Sequence, residues 1–175
     1  MSRQFWTYFM ISLALVAAGI GAAFYANRGA HLAPTGEILK VRSLADGDDG
    51  AIVFADARIT NWASIPFVVN SVQMSMETPE DEVATATPLS KSDVEKITKA
   101  YKLIGPKYND VLGGQDKIEP GKTIDFMAAG RFNFPPRFLT GRKTLRLKIQ
   151  EVDGAVAELV EKGAEKGPEK SAVAK

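Results

Sequence analysis

The fold is decided by the stretch AIVFADARITNWASIPFVVNSVQMSME, residues 51–77. Its first part, 51–60, places apolar side chains on one face of an extended chain: Val53, Ala55, Ala57 and Ile59. Its last part, 67–77, repeats this spacing with another set: Val68, Val72, Met74 and Met76. A period of two predicts half-buried strands, and the intervening segment 61–66 predicts a turn. We therefore expect two neighbouring strands here.

Strand patterns continue on both sides of this stretch. Upstream, apolar and charged residues alternate from Glu37, and a turn is expected at 46–50. Downstream, inward positions are expected at Ile124, Phe126, Ala128 and Phe132. The segment 142–152 shows the strongest alternation, and Asp153-Gly154 predicts a hairpin into a last strand at 155–161. Together they predict a mainly β domain over 37–162, an antiparallel, immunoglobulin-like β-sandwich.

One helix is expected inside this β pattern, at about 90–104. Ser90 is a plausible N-cap, and Leu89 can pack on Val94 as a hydrophobic staple. An apolar stripe follows at helical spacing: Val94, Ile97, Tyr101 and Ile104. Gly105-Pro106 is typical of a helix end.

Before the sandwich, residues 5–25 form an apolar run without a charged side chain. A helix of this length crosses roughly 30 Å, the thickness of a bilayer's hydrocarbon core. A cleaved signal would have a shorter apolar region and a cleavage site of small residues, so we expect an uncleaved anchor. The predicted organisation is a tail at 1–4, a transmembrane helix at 5–25, a linker at 26–36 and, beyond the sandwich, a disordered tail at 163–175.

The anchor also suggests a location and a contact. A short N-terminal tail before a long domain favours a single-pass protein of the inner membrane, with the N-terminus in the cytoplasm and the domain outside it. Arginine and lysine counts on the two sides do not decide the orientation. Ala14, Ala18 and Ala22 recur at every fourth residue, a spacing that lets helices approach closely. A homodimer through the anchor is one interpretation, and the frequency of alanine in membrane helices is the other.

Composition excludes several classes of function. The net charge is +1, from 22 basic and 21 acidic residues, which argues against nucleic-acid binding. The chain has no cysteine and a single histidine, His31, so most thiol, histidine-base and metal chemistry is excluded. We expect no cofactor and no catalytic residues, because no nucleophile elbow, phosphate loop or zinc motif is present.

Three weaker chemical candidates remain. Asp46, Asp48 and Asp49 begin like a calcium loop, but the twelfth position is Ala57 instead of glutamate, so a hairpin turn explains them. Met74 and Met76 share a strand face and could bind Cu(I), although methionine is also a common core residue. Carboxylates such as Asp56 and Asp125 could pair in space, but no pattern selects them.

The most unusual loop is 131–138, RFNFPPRF, which combines aromatic rings, arginines and a proline pair. Exposed aromatic rings beside arginine are typical of protein interfaces. The residues of this possible interaction surface are Arg131, Phe132, Phe134, Arg137 and Phe138. The alternative is that the rings pack under the edge of the sandwich and the prolines only stiffen a connection.

The stretch 56–72, DARITNWASIPFVVNSV, resembles the strand–Asn–turn–strand passage of the late-embryogenesis-abundant type 2, or water-stress (WHy), domain. This resemblance implies a seven-stranded sandwich without enzyme activity, and the helix at 90–104 departs from it. The leading hypothesis is a membrane-anchored, non-catalytic domain that binds another protein in the bacterial envelope. The alternatives are an assembly or copper-delivery accessory of a respiratory complex, using Met74 and Met76, and a hydrolase with a hidden carboxylate pair.

Overall fold

The computed structural model describes residues 3–26 and 32–161 of the 175-residue chain. The predicted tail at 163–175 and residues 27–31 of the predicted linker at 26–36 lie outside these residues. The chain divides into two compact units, 1–31 and 32–175. The first contains one helix, α1 (Arg3–Ala26), which is long and apolar enough to cross a membrane over Gln4–Ala22.

The second unit is a β-sandwich of two antiparallel sheets. Its strands are β1 (Thr35–Ala45), β2 (Ala51–Thr60), β3 (Phe67–Glu77), β4 (Val83–Thr85), β5 (Thr87–Pro88), β6 (Lys117–Ile118), β7 (Thr123–Phe132), β8 (Thr144–Glu151) and β9 (Val156–Val160). The helices are α2 (Lys91–Ala100), a 3₁₀ turn (Lys102–Ile104) and α3 (Arg137–Thr140). The predicted fold class is confirmed.

One sheet has the order β1-β2-β7-β5, and the other has the order β4-β3-β8-β9 with β6 paired to β3. These orders correspond to A-B-E-D and C′-C-F-G of immunoglobulin-like sandwiches. A parallel bridge between Ile38 and Glu161 links the outer strands of the two sheets. The main core fills the space between the sheets, and its largest fully buried side chains include Phe67, Phe126 and Phe132.

The stretch 51–77 forms β2 and β3 with the predicted bounds. The turn at 46–50 also forms, closed by a 2.8 Å bond from the Asp46 N–H to the Gly50 carbonyl. β2 differs from the prediction in one respect: residues 51–57 are buried on both faces. Its second face lies under α2 and the segment after it, in a smaller core formed by Ile52, Phe54, Val94, Ile104, Val111, Met127 and Ala129.

The inserted helix is shorter than predicted. Ser90 does cap it, because its Oγ accepts a 3.2 Å bond from the Asp93 N–H. The helix ends at Ala100, since Tyr101 leaves helical geometry at φ −113° and ψ 82°, and a 3₁₀ turn follows. Gly105 ends that turn at φ 85°, a conformation that favours glycine. Tyr101 is therefore exposed, whereas Val94 and Ile104 are buried as expected.

Candidate functional site

The aromatic segment 131–138 is mostly a core element. Phe132 and Phe134 are only 0% and 7% exposed, and their ring centroids lie 5.0 Å apart. Phe138 is half-buried, with its ring 5.9 Å from that of Phe134. Of the two interpretations of this loop, packing of the rings under the edge of the sandwich holds for Phe132 and Phe134, and exposed rings at these two positions do not occur. Phe132 is the last residue of β7 and is buried, as its alternation with Phe126 and Ala128 predicts, and Phe134 lies two residues beyond it.

The arginines of this segment stay at the surface. Arg131 Nε donates a 2.6 Å hydrogen bond to Asp46 Oδ2 and so ties the end of β7 to the β1–β2 turn. The Arg137 guanidinium lies over the Phe138 ring at 5.1 Å, a cation–π contact. The proline pair opens α3, with Pro135 accepting a 3.0 Å bond from the Phe138 N–H. The exposed part of the predicted interaction surface is therefore limited to Arg131, Arg137 and the edge of the Phe138 ring.

The two other sequence candidates have different outcomes. Met74 and Met76 are buried in the main core, which accounts for both residues without a metal. Ala14, Ala18 and Ala22 are exposed along α1. Their role in helix contact stays a prediction.

A buried ion pair lies on the second face of β2, where the sequence indicated only a polar position. Arg42 Nη2 contacts Asp56 Oδ2 at 2.9 Å, and the two side chains are only 9% and 7% exposed. Arg42 Nη1 donates to the carbonyls of Ile104 (2.9 Å) and Pro106 (3.1 Å), and the guanidinium lies 5.1 Å from the Tyr108 ring centroid. Arg42 therefore fastens the segment after α2 onto the sheet.

Beside this segment lies an open groove of about 450 Å³. We call it the lysine–carboxylate groove. Its lining residues are Lys91, Glu95, Lys107, Asp110, Val111, Leu112, Asp116, Lys117, Ile124, Asp125 and Phe126. Its volume is within the range of ligand sites. Lysine and carboxylate side chains both line it, while buried Val111, Leu112 and Phe126 supply apolar surface.

Ion pairs surround the groove. Lys91 contacts Asp116 at 2.9 Å, and Lys107 contacts Asp110 at 2.7 Å. The hydrogen bond to Asp110 raises the pKa of Lys107, and the same bond lowers the pKa of Asp110. Both are charged at neutral pH. Exposed pairs of this kind contribute only about 0–1 kcal/mol each to stability. A bound partner can therefore replace one side chain of a pair with a charged group of its own at little cost in free energy.

On another wall of the groove, Asp125 forms a two-bond ion pair with Arg58, at 2.6 and 2.9 Å. The hydrogen bond from Arg58 lowers the pKa of Asp125. This carboxylate is therefore held ionised and directed across the sheet toward β2. Among the residues that the structure describes, no three His, Cys, Asp or Glu side chains are grouped to hold a metal ion.

The same wall contains a free strand edge. On the outward side of β7, which faces away from β2, the Met127 N–H donates to the Asp110 carbonyl and the Met127 carbonyl accepts from the Leu112 N–H, both at 2.9 Å. Ala129 likewise bonds outward, to the Leu89 N–H. Backbone groups of alternate residues point to the same side of a strand, so the N–H and carbonyl of Asp125 also point outward. Within 32–161, no backbone bond on that side reaches them.

Sequence reasoning missed this groove because its walls come from distant parts of the chain. Lys91 opens α2, Asp116 precedes β6, and Asp125 lies on β7. The one available signal was the run of paired opposite charges between 91 and 117, which is also the ordinary pattern of a solvated surface.

Searches for related proteins found no matching family model and no significant match among curated proteins. Several solved structures are similar at low identity. An ApaA protein from Bordetella pertussis aligns over 73% of this chain and 87% of its own, with 16% identity and a TM-score of 0.36. β-Glucuronidase 2 from Bacteroides uniformis aligns over 73% of this chain and only 14% of its own, with 9% identity and a TM-score of 0.39.

A structural-genomics target called SoR45 covers 74% of this chain and 79% of its own, with 8% identity and a TM-score of 0.34. At these scores the likenesses carry neither activity nor partner to this chain. The resemblance of 56–72 to the water-stress domain stays a prediction.

Proposed function

We propose that this protein is a membrane-anchored, non-catalytic β-sandwich of the bacterial envelope that binds an extended segment of a partner protein. The observation that carries the proposal is the free edge of β7 at Asp125, which lies in the wall of the lysine–carboxylate groove. Extended peptides add to exposed strand edges through backbone hydrogen bonds, and adjacent pockets then select their side chains.

The charges of the groove favour a peptide as the occupant. Three lysines and four acidic residues line it: Lys91, Lys107, Lys117, Glu95, Asp110, Asp116 and Asp125. This mixture matches a segment with both signs of charge better than a simple anion or cation. The apolar surface of Val111, Leu112 and Phe126 can bury a small side chain of the peptide between its charged residues. Arg137 and Phe138 form a second, smaller contact on the same domain.

For the location, we propose that α1 is a single-pass anchor of the inner membrane, with the N-terminus in the cytoplasm and the sandwich outside it. The 24 residues of α1 give a helix of about 36 Å, which supports a complete crossing. Ala14, Ala18 and Ala22 lie about one helical turn apart on one face, which supports a homodimer through the anchor.

Photocrosslinking in cells tests the groove. A photoreactive amino acid at Lys117 should form an adduct with one partner, whereas the same amino acid at Val83, exposed on β4, should not. Mass spectrometry identifies the partner and the crosslinked segment. An adduct pattern that is the same at both positions would contradict a groove-specific contact.

A matched pair of substitutions then tests the strand edge. Asp125→Pro removes the outward N–H, and Asp125→Ala removes the same ion pair with Arg58 but keeps that N–H. One backbone hydrogen bond is worth about 1–1.5 kcal/mol, so the proline variant should bind the identified segment roughly 10-fold more weakly than the alanine variant. Equal affinities of the two variants, with equal melting temperatures, would refute strand addition at β7.

A further inference from the structure

One pole of the sandwich presents an exposed tryptophan on a rigid loop. Trp62 is 64% exposed and lies in the loop between β2 and β3. Its indole N–H donates a 2.8 Å hydrogen bond to Thr35 Oγ1, at the start of β1. The single polar group of the ring is thus paired, so the remainder of the exposed ring is apolar.

Asn61 holds this loop in shape. It is fully buried, and its Nδ2 donates to the carbonyls of Ile65 and Ile118, both at 2.9 Å. Its Oδ1 accepts a 2.9 Å bond from the Ala63 N–H. Its backbone bonds to Gly121 and Lys122. These bonds hold the exposed ring of Trp62 in a fixed position on its loop, which suits a binding role.

Other apolar side chains lie at the same pole. The β8–β9 turn follows Glu151, which pairs with Val69 near the start of β3, so this turn and the Trp62 loop lie at the same end of the strands. The exposed members of this pole are Leu32, Trp62, Val152 and Val156. Its exposed charges balance: Lys117, Lys122, Glu119 and Asp153.

The short segment between α1 and β1 indicates which partner this pole meets. Only residues 27–31 separate the end of α1 from Leu32, and Thr35 follows three residues later. An extended chain covers at most about 3.6 Å per residue, so Leu32 lies within about 22 Å of the helix end whatever the path. This pole is the end of the sandwich that the chain from α1 reaches first, and the other end of β2 lies about 33 Å away along this ten-residue strand.

From these observations we infer that the pole carrying Trp62 is a bilayer-docking surface, with the Trp62 ring in the headgroup region of the membrane that holds α1. Tryptophan is enriched at this depth because its ring is amphipathic. The balanced charges mean that anionic lipid is not required. The inference rests on the proposed anchoring by α1; the apolar members of the pole, Leu32, Trp62, Val152 and Val156, do not line the lysine–carboxylate groove, and Lys117 borders both surfaces.

The test uses the full chain, reconstituted in phosphatidylcholine vesicles whose acyl chains carry bromine near the headgroup. The protein has two tryptophans, Trp6 and Trp62, so each can be observed alone. In the Trp6→Phe variant, we expect brominated lipid to quench the Trp62 emission. In a control with Trp6→Phe, Trp62→Phe and Val83→Trp, the probe on β4 should keep its emission. Equal quenching with and without phosphatidylglycerol is also expected.

Each contrary result has a distinct meaning. Trp62 emission that is unaffected by brominated lipid, while Trp6 is quenched in the Trp62→Phe variant, overturns docking and leaves the anchor intact. Unquenched Trp6 overturns the anchor and, with it, this inference. Equal quenching at Trp62 and at position 83 shows indiscriminate adsorption of the domain and also overturns a specific docking pole.

Discussion

Breaking the buried pair between Arg42 and Asp56 should destabilise the sandwich strongly. Removing one partner of a buried ion pair costs about 3–5 kcal/mol, because the other charge is left buried without compensation. The loss should differ between the partners. Without Asp56, Arg42 keeps the Ile104 and Pro106 carbonyls. Without Arg42, the carboxylate of Asp56 loses its one hydrogen-bond partner within 32–161, since its Oδ1 already has none there.

We therefore expect about 3 kcal/mol for Asp56→Leu and about 4 kcal/mol for Arg42→Met, measured as the loss in free energy of unfolding. The double variant should be no less stable than Arg42→Met alone, because it leaves no charge buried without its partner. In melting temperature, the single variants should lose roughly 10 °C.

The assay is urea unfolding of the full chain in detergent, followed by the β-sheet signal in circular dichroism. Ser43→Ala, at an exposed position on the same strand, is the matched control and should change little. Additive losses in the double variant would refute the reasoning, since they would mean that the two side chains contribute independently. A single variant within about 1 kcal/mol of the wild type would refute it as well.

Other predictions concern backbone fit, a buried amide and pH. Gly36→Ala should cost about 3 kcal/mol in urea unfolding, because the new Cβ would clash with the Arg58 carbonyl oxygen. Asn61→Ala should cost on the order of 3 kcal/mol by the same assay, because it leaves the buried Ile118 carbonyl and the half-buried Ile65 carbonyl without this donor; Asn61→Asp, which keeps only the acceptor, should rescue little. The lowered pKa of Asp125 means that its pairing stabilises the fold above about pH 4 and is lost as pH falls further. The thermal stability of Asp125→Asn should therefore fall less steeply below pH 4 than that of the wild type, and equal slopes would contradict this.

The bounds of the strands were predictable where all local sequence signals indicated the same structure. β2 and β3 formed with the expected bounds because alternation, flanking turns and apolar content all agreed. The helix at 90–104 was predicted too long, since Tyr101 fits an apolar stripe in sequence. In the fold, its backbone turns away and the 3₁₀ turn brings Ile104 onto the sheet instead.

The candidate surfaces were harder to predict because exposure is decided by the tertiary fold. In sequence, Phe132 and Phe134 lie beside arginines, yet the sandwich covers them. Trp62, which no pattern singled out, is exposed because the hydrogen bonds of Asn61 direct its loop outward. Predicting the groove from the sequence would have required knowing that the fold brings Lys91 and Asp125 into the lining of one groove.

The bridge between Ile38 and Glu161 has a mechanical consequence. β1 and β9 run parallel to each other at this bridge, which lies three residues after the start of β1 at Thr35 and one residue after the end of β9 at Val160. A force that pulls the start of β1 away from the end of β9 therefore slides these two strands along each other. The contacts between the two strands, including Gly36 with Leu159, are then loaded together instead of one after another.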